Sequence, residues 1–205
     1  MTNSNQLAVD KKNIDTILVL DFGSQYTQLI ARRIRELDVF SIILPWDISK
    51  ERIAALNPTG IILSGGPESV TKNNTPRISK IIFDLDVPIL GICYGMQTLA
   101  EQYGGQVTAS KTKEFGHASI TLEKASTLFH DFDAGSIIDV WMSHGDHVST
   151  LPDQFNLIAS TPSAPIAAMA HSEKPIYALQ FHPEVTHTKE GNVVLENFVF
   201  RICNC

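Results

Sequence analysis

The chain has 205 residues, a length that suits one compact core and leaves little room for two. Its composition, 43% hydrophobic and 19% charged, is that of an ordinary globular protein, and a formal net charge of -6 offers no basic surface for nucleic acid. Residues 1–13 lack the apolar run of a signal peptide and no stretch has the apolar length of a membrane span, so neither a membrane nor nucleic acid is an expected partner.

Three cysteines, at 93, 203 and 205, give no disulfide framework. They fit a reducing compartment, and a cytoplasmic protein is expected. Residues 1–13 read as a disordered polar tail, and residues 14–205 as a single domain.

Thr16-Ile-Leu-Val-Leu-Asp21 is a short apolar run of the kind that forms a strand buried on both faces. A helix is expected next, with Ser24 as its cap. Tyr26, Leu29, Ile30, Ile34 and Leu37 fall on its inner stripe, and Arg32, Arg33 and Arg35 lie largely on the other side. Residues 40–44 read as a second strand stopped by Pro45. A short helix follows from Ser49, then a third strand over 60–63. The segment 76–85 opens on a proline and carries Ile78, Ile81, Ile82 and Leu85 on one stripe, which predicts a helix.

A strand over 87–90 leads into Gly91-Ile-Cys93-Tyr-Gly95, and a helical pattern then runs to Tyr103 before Gly104-Gly105 stops it. Alternating strands and helices predict an α/β fold: an open, mostly parallel, doubly wound sheet with flanking helices. From Gln106 the pattern turns to short β-like runs at 117–122, 136–142, 155–160, 166–170 and 176–181, a strand-rich C-terminal half. A last helix is expected over 188–202.

Gly91-Ile-Cys93-Tyr-Gly95 is the thiol version of a G-x-S-x-G nucleophile elbow, with the strand before and the helix after that this turn requires. Flanking glycines permit the sharp turn, and a helix N-terminus favours thiolate over thiol and supplies N–H groups for an oxyanion. Cys93 is therefore a candidate nucleophile; without its neighbours it would read as a small buried residue.

In Gln180-Phe-His182-Pro-Glu184, residues two apart on an extended chain project to the same side, and Pro183 keeps that chain extended. His182 is the candidate base and Glu184 the carboxylate that orients it, against the plainer reading of a surface His and Glu at a strand end. The other histidines, His144 among them, lack such pairing and read as surface or packing residues. Ser64-Gly-Gly-Pro67 follows a strand that can lie beside the one carrying Cys93. Gly66 and the Tyr94 amide are the candidate oxyanion donors, although such loops are often plain turns. Cys203 and Cys205 are too few for a metal site, and no metal is expected.

Three motifs in this order, Gly-Gly-Pro, Gly-x-Cys-x-Gly and His-Pro-Glu, resemble the triad-type (class I) glutamine amidotransferases, and the resemblance covers residues 16–203. Within that family the chain is most similar to the glutaminase domains of GMP synthetases, through Asp21-Phe-Gly-Ser-Gln-Tyr26, Cys93-Tyr-Gly-Met-Gln97, Glu114-Phe-Gly116, Trp141-Met-Ser-His-Gly-Asp146 and His182-Pro-Glu-Val-Thr-His-Thr188.

The resemblance implies hydrolysis of glutamine to glutamate and ammonia through a γ-glutamyl thioester on Cys93, with His182 and Glu184 completing the triad. It implies a glutamine pocket lined by Gly66, Glu68, Tyr94, Gln97, Ser143, Gly145 and Asp146. Residues 141–146 read on their own chemistry as a hairpin-like turn, and the resemblance turns them toward a partner domain.

The implied partner is an ATP-pyrophosphatase (synthetase) domain or subunit that takes the ammonia to convert xanthosine monophosphate to GMP. No cofactor is implied in this domain; ATP and magnesium are expected in the synthetase domain, whose phosphate-binding loop is absent from the sequence. The chain is read as one domain of a longer protein in preference to the small subunit of a two-chain enzyme. Alternatives are an amidotransferase serving anthranilate or carbamoyl phosphate formation, a non-catalytic docking module of the same fold, and a general cysteine hydrolase.

Overall fold

The computed structural model describes residues 14–205; the polar tail read over residues 1–13 lies outside the described residues. Nine strands form one sheet: β1 (Thr16–Asp21), β2 (Phe40–Pro45), β3 (Gly60–Leu63), β4 (Ile89–Ile92), β5 (Gln106–Leu122), β6 (Ile137–Thr150), β7 (Phe155–Ser160), β8 (Ala168–His171) and β9 (Ile176–Leu179). Their order is β2-β1-β3-β4-β9-β8-β7-β5-β6. The first five are parallel, and every pairing from β9 to β6 is antiparallel. The α/β sheet expected from the sequence is thus parallel on one side and carries an antiparallel extension on the other.

The helices are α1 (Thr27–Glu36), α2 (Lys50–Leu56), α3 (Tyr94–Gln102) and α4 (Gly191–Glu196), the last running on into a wider π-helical stretch over Asn197–Ile202. They cover both faces of the parallel strands, and β1 shows how. Ile17 and Val19 pack in one core with Ile30 and Ile34 of α1 and with Val194 and Phe198 near the C-terminus. Leu18 and Leu20 pack in another with Ile53 of α2 and Met96 and Leu99 of α3. A strand buried on both faces needs the continuous apolar run that Ile17 to Leu20 provides. Among the described residues no helix is long and apolar enough to cross a membrane.

Several expected elements are corrected. Residues 76–85 form no α-helix, only a short 3-10 turn over Lys80–Asp84. Their polar groups are claimed by α3 instead: Thr98 Oγ1 accepts from the Ile78 N–H at 3.1 Å, and the Tyr94 hydroxyl donates to the Pro76 carbonyl at 2.5 Å. The strand expected over 87–90 lies at 89–92, carrying its end to the residue before Cys93.

Ser24 does not cap α1; its hydroxyl accepts from the Tyr26 N–H at 3.0 Å in a turn preceding the helix. The C-terminal helix starts at Gly191, not at 188. Trp141 to Asp146 is not a turn but the middle of β6, paired to β5. Opposite Gly145 the register of β5 jumps from Ala109 to Glu114, a bulge beside the cavity described next.

Candidate active site

Four neighbouring parallel strands, β1, β3, β4 and β9, end at the same rim of the sheet, and their C-terminal loops build the site. Ligands bind at this position in open α/β sheets. The rim borders a cavity of about 700 Å³. Gly66, Glu68, Cys93, Tyr94, Gln97, Ser143, Gly145, Asp146 and His182 all line it. Of the residues expected to form the site, only Glu184 stands outside that lining, wholly buried behind His182.

Cys93 takes the N-cap position of α3 with φ 52° and ψ -105°, a backbone that side chains rarely adopt. The elbow is held by the Cys93 N–H donating to Leu179 O at 2.7 Å and by the Gly95 N–H donating to Ser64 O at 3.1 Å. The flanking glycines are required by space as well as by turn chemistry. A Cβ on Gly91 would stand 2.9 Å from the Met96 nitrogen, and one on Gly95 would overlap the Leu63 carbonyl oxygen. The Gly95 N–H is thereby engaged, and Tyr94 is the first residue of α3. Gly66 packs against the residue after β1 so tightly that a Cβ there would meet Phe22 O at 2.8 Å. Its loop is tied to the end of β1 by the Phe22 N–H, which donates to Ser64 Oγ at 3.0 Å.

His182 and Glu184 are buried, with Nδ1 of the imidazole 2.7 Å from Oε1 of the carboxylate. Burial alone would favour the neutral ring. The Glu184 charge, the nearby Cys93 sulfur and the hydrogen bond to Glu184 outweigh it and hold the His182 pKa well above the ordinary histidine value. The other carboxylate oxygen, Oε2, is buried without a hydrogen-bond partner among the described residues. Glu184 therefore depends on His182 for its compensation.

Several residues at the site were not read from the sequence. Gln180, fully buried, directs its amide at Cys93 Sγ, 3.7 Å away. It follows the same two-residue alternation as His182 and Glu184, so the signal was present. Arg33, read as outward-facing, reaches back to donate from Nε to the Glu184 carbonyl at 3.0 Å. Tyr26, read as part of the α1 core stripe, lines the cavity and meets the His182 ring edge-on at a centroid distance of 5.1 Å.

His144 is neither a surface residue nor conventionally packed: it is buried on the cavity wall. Its Nε2 lies 3.1 Å from Glu114 Oε2, but without hydrogen-bond geometry, so this ion-pair distance leaves the atoms unsatisfied. Burial lowers the His144 pKa, and the Glu114 charge offsets this only in part.

Of the expected pocket residues, Gln97 and Asp146 are already engaged with the protein. Gln97 Nε2 donates to Asp146 O at 2.7 Å, and the Asp146 carboxylate accepts from the Ser69 hydroxyl. Ser143 offers its carbonyl to the Cys93 thiol at 3.5 Å, and Glu68 stands exposed at the rim. Among the described residues no group of three or more His, Cys, Asp or Glu side chains is placed to hold a metal ion.

The family model described as glutamine amidotransferase class-I matches residues 18–202. The GMP synthase (glutamine-hydrolyzing) of Teredinibacter turnerae is 56% identical over 195 residues, which cover 92% of this chain and 37% of that protein. The corresponding protein of Hamiltonella defensa is 56% identical over 202 residues, 95% of this chain and 38% of its own length. The chain thus spans less than two fifths of these relatives.

Among solved structures, a putative GMP synthase subunit from Thermoplasma acidophilum has a TM-score of 0.83 at 37% identity, covering 93% of this chain and 94% of that one. A glutamine amidotransferase from Thermotoga maritima, 17% identical, has a TM-score of 0.73 over 94% of this chain and 99% of its own; it bears on the fold alone.

Proposed function

The chain belongs to the class I glutamine amidotransferase family, and we propose that it hydrolyses glutamine to glutamate and ammonia, the ammonia serving GMP formation. The observation that carries this reading is the Cys93–His182–Glu184 constellation opening on a cavity at the C-terminal rim of the parallel strands.

In the proposed reaction the Cys93 thiol passes its proton to His182 and the sulfur adds to the side-chain carbonyl carbon of glutamine. The Tyr94 and Gly66 N–H groups receive the oxyanion, a contribution of about 10²–10³ per donor where one has been removed in comparable sites. His182 gives a proton to the amide nitrogen, the C–N bond breaks, and ammonia departs from a γ-glutamyl thioester. Water then adds to the thioester while His182 takes its proton, and glutamate leaves as the sulfur recovers its electron pair. Glu184 holds the tautomer and the plane of the imidazole through both steps.

Two supports connect the ammonia to GMP. The curated relatives carry that activity in their names, and the Thermoplasma chain of matching length bears the name of a GMP synthase component. The proposed acceptor is an ATP-pyrophosphatase domain or subunit that activates xanthosine monophosphate, and ATP and magnesium belong to that partner. Three free cysteines favour a cytoplasmic location.

The test is release of ammonia and glutamate from glutamine, by the chain alone and with the acceptor, ATP and xanthosine monophosphate supplied. Activity that disappears in Cys93→Ala supports the reading. Activity that persists in that variant overturns it.

A further inference from the structure

The segment carrying His182 leaves the sheet at Leu179 and must be held by something other than strand pairing. Three hydrogen bonds close a ring around it. The His182 N–H donates to the Trp141 carbonyl at 3.0 Å. The Trp141 N–H donates to Thr188 Oγ1 at 3.0 Å, and the Thr188 hydroxyl donates to the His182 carbonyl at 2.6 Å.

Thr188 is buried, so this hydroxyl has no water to exchange for its two partners. Its own backbone is fixed by the Thr188 N–H on Val185 O at 3.1 Å and the Gly191 N–H on Thr188 O at 3.0 Å. Gly191 in turn has no room for a side chain, because a Cβ there would overlap the Pro183 carbonyl.

The other end of the ring matters for the sulfur. Two residues beyond Trp141 on β6, Ser143 presents the carbonyl that faces the Cys93 thiol at 3.5 Å. Alternate carbonyls of an extended strand point to the same edge. One strand therefore holds His182 through residue 141 and Cys93 through residue 143, and sets the spacing of the two groups.

We infer that Thr188 is a positioning residue for His182, its buried hydroxyl pinning the His182 backbone to the strand that also holds Cys93. The inference rests on the reading of His182 as the acid and base of the reaction. Thr188 touches neither substrate nor the reacting atoms. It acts by keeping the imidazole where a proton passes between it and the groups at Cys93, a distance on which rate depends steeply.

The test compares Thr188→Val, which keeps the shape and removes the hydroxyl, with Thr188→Ser, which keeps the hydroxyl. Two readouts are taken on the whole chain. One is covalent labelling of Cys93 by a chloroketone analogue of glutamine, resolved into affinity and saturating rate. The other is the nitrogen-bound ring proton of His182 in the NMR spectrum, which reports the bond to Glu184 without any turnover.

Thr188→Val is expected to slow the saturating rate by about ten- to a hundredfold while changing affinity less than about twofold, and to shift or broaden the ring proton. Thr188→Ser is expected to restore both. Thr188→Ala is made alongside in case the valine variant does not fold, and carries the same expectation.

An unchanged rate and ring signal in the valine or alanine variant overturns the inference. So does a serine variant as impaired as valine, which assigns the effect to the methyl group, or a loss of affinity alone. If the parent chain fails to label, the proposed function falls, while the ring signal still decides whether Thr188 positions His182.

Discussion

Nδ1 of His182 stands 2.7 Å from Oε1 of Glu184, with the two side chains 3% and 0% exposed. A carboxylate this deep is held by charge as much as by geometry, and only one of its oxygens has a hydrogen-bond partner among the described residues. Glu184→Gln removes the charge but retains a side chain of nearly the same shape. It is expected to lower kcat about a hundredfold or more, within the range of general acid-base contributions, with a smaller effect on KM. Steady-state glutaminase assays check this, and a kcat within a few-fold of the parent would remove Glu184 from the mechanism.

The two buried histidines of the site titrate in opposite directions. His182 is raised despite its burial, chiefly by Glu184, while His144 is lowered by its burial. In an NMR titration His182 is expected to remain protonated above the ordinary histidine range and His144 to become neutral below it. Glu184→Gln is expected to move the His182 midpoint down. The folded value of His182 exceeds the unfolded one, so the stability its charge contributes is complete below the ordinary histidine pKa and is lost as pH rises through the folded midpoint. For His144 the folded value is the lower, so its contribution is present above the ordinary value and is lost as pH falls through the folded midpoint.

Backbone strain at Cys93 has its own signature. Cys93 has φ 52° and ψ -105°, a conformation that costs a side chain about 1–3 kcal/mol. Alanine normally outperforms glycine in an ordered segment by roughly 0.5–1 kcal/mol. At residue 93 the order is expected to reverse, with Cys93→Gly unfolding at higher denaturant than Cys93→Ala. Equilibrium unfolding checks the pair, and the ordinary order would show that the elbow stores no strain.

The glycines separate space from conformation. At Gly95 an added Cβ overlaps the Leu63 carbonyl, so Gly95→Ala is expected to destabilise the fold by at least about 3 kcal/mol, the upper end of overpacking costs. Gly104, at φ 87°, has nothing within 4 Å of an added Cβ. Gly104→Ala should therefore cost only about 1 kcal/mol, from conformation alone. Thermal or denaturant unfolding compares them, and equal losses would contradict the clash.

What the sequence made legible was local. Gly91 and Gly95 around Cys93 announced the elbow, and the His-Pro-Glu run put His182 beside Glu184, although residues 183–184 form a turn where the sequence predicts an extended chain. The parallel half of the sheet followed from apolar runs such as Ile17 to Leu20.

What stayed illegible depended on partners distant in the chain. Residues 76–85 carry a helical stripe, but their amide and carbonyl groups are claimed by Thr98 and Tyr94 of a later helix. Residues 106–116 carry no clear strand alternation because Gln106, Thr108, Ala109 and Phe115 of that β5 segment are exposed. Trp141 to Asp146 has turn chemistry, yet pairing with β5 draws it into a strand. His144 is buried by that same pairing, and Arg33 turns inward because the Glu184 carbonyl, 151 residues away, awaits a donor.

Cys93 is proposed to be a nucleophile that reacts with glutamine. The most direct test is peptide mapping by mass spectrometry after exposure of the chain to the chloroketone analogue, with and without excess glutamine. One adduct is expected, on Cys93, suppressed by glutamine, with Cys203 and Cys205 unmodified. An unlabelled Cys93, or labelling that glutamine does not suppress, would contradict it.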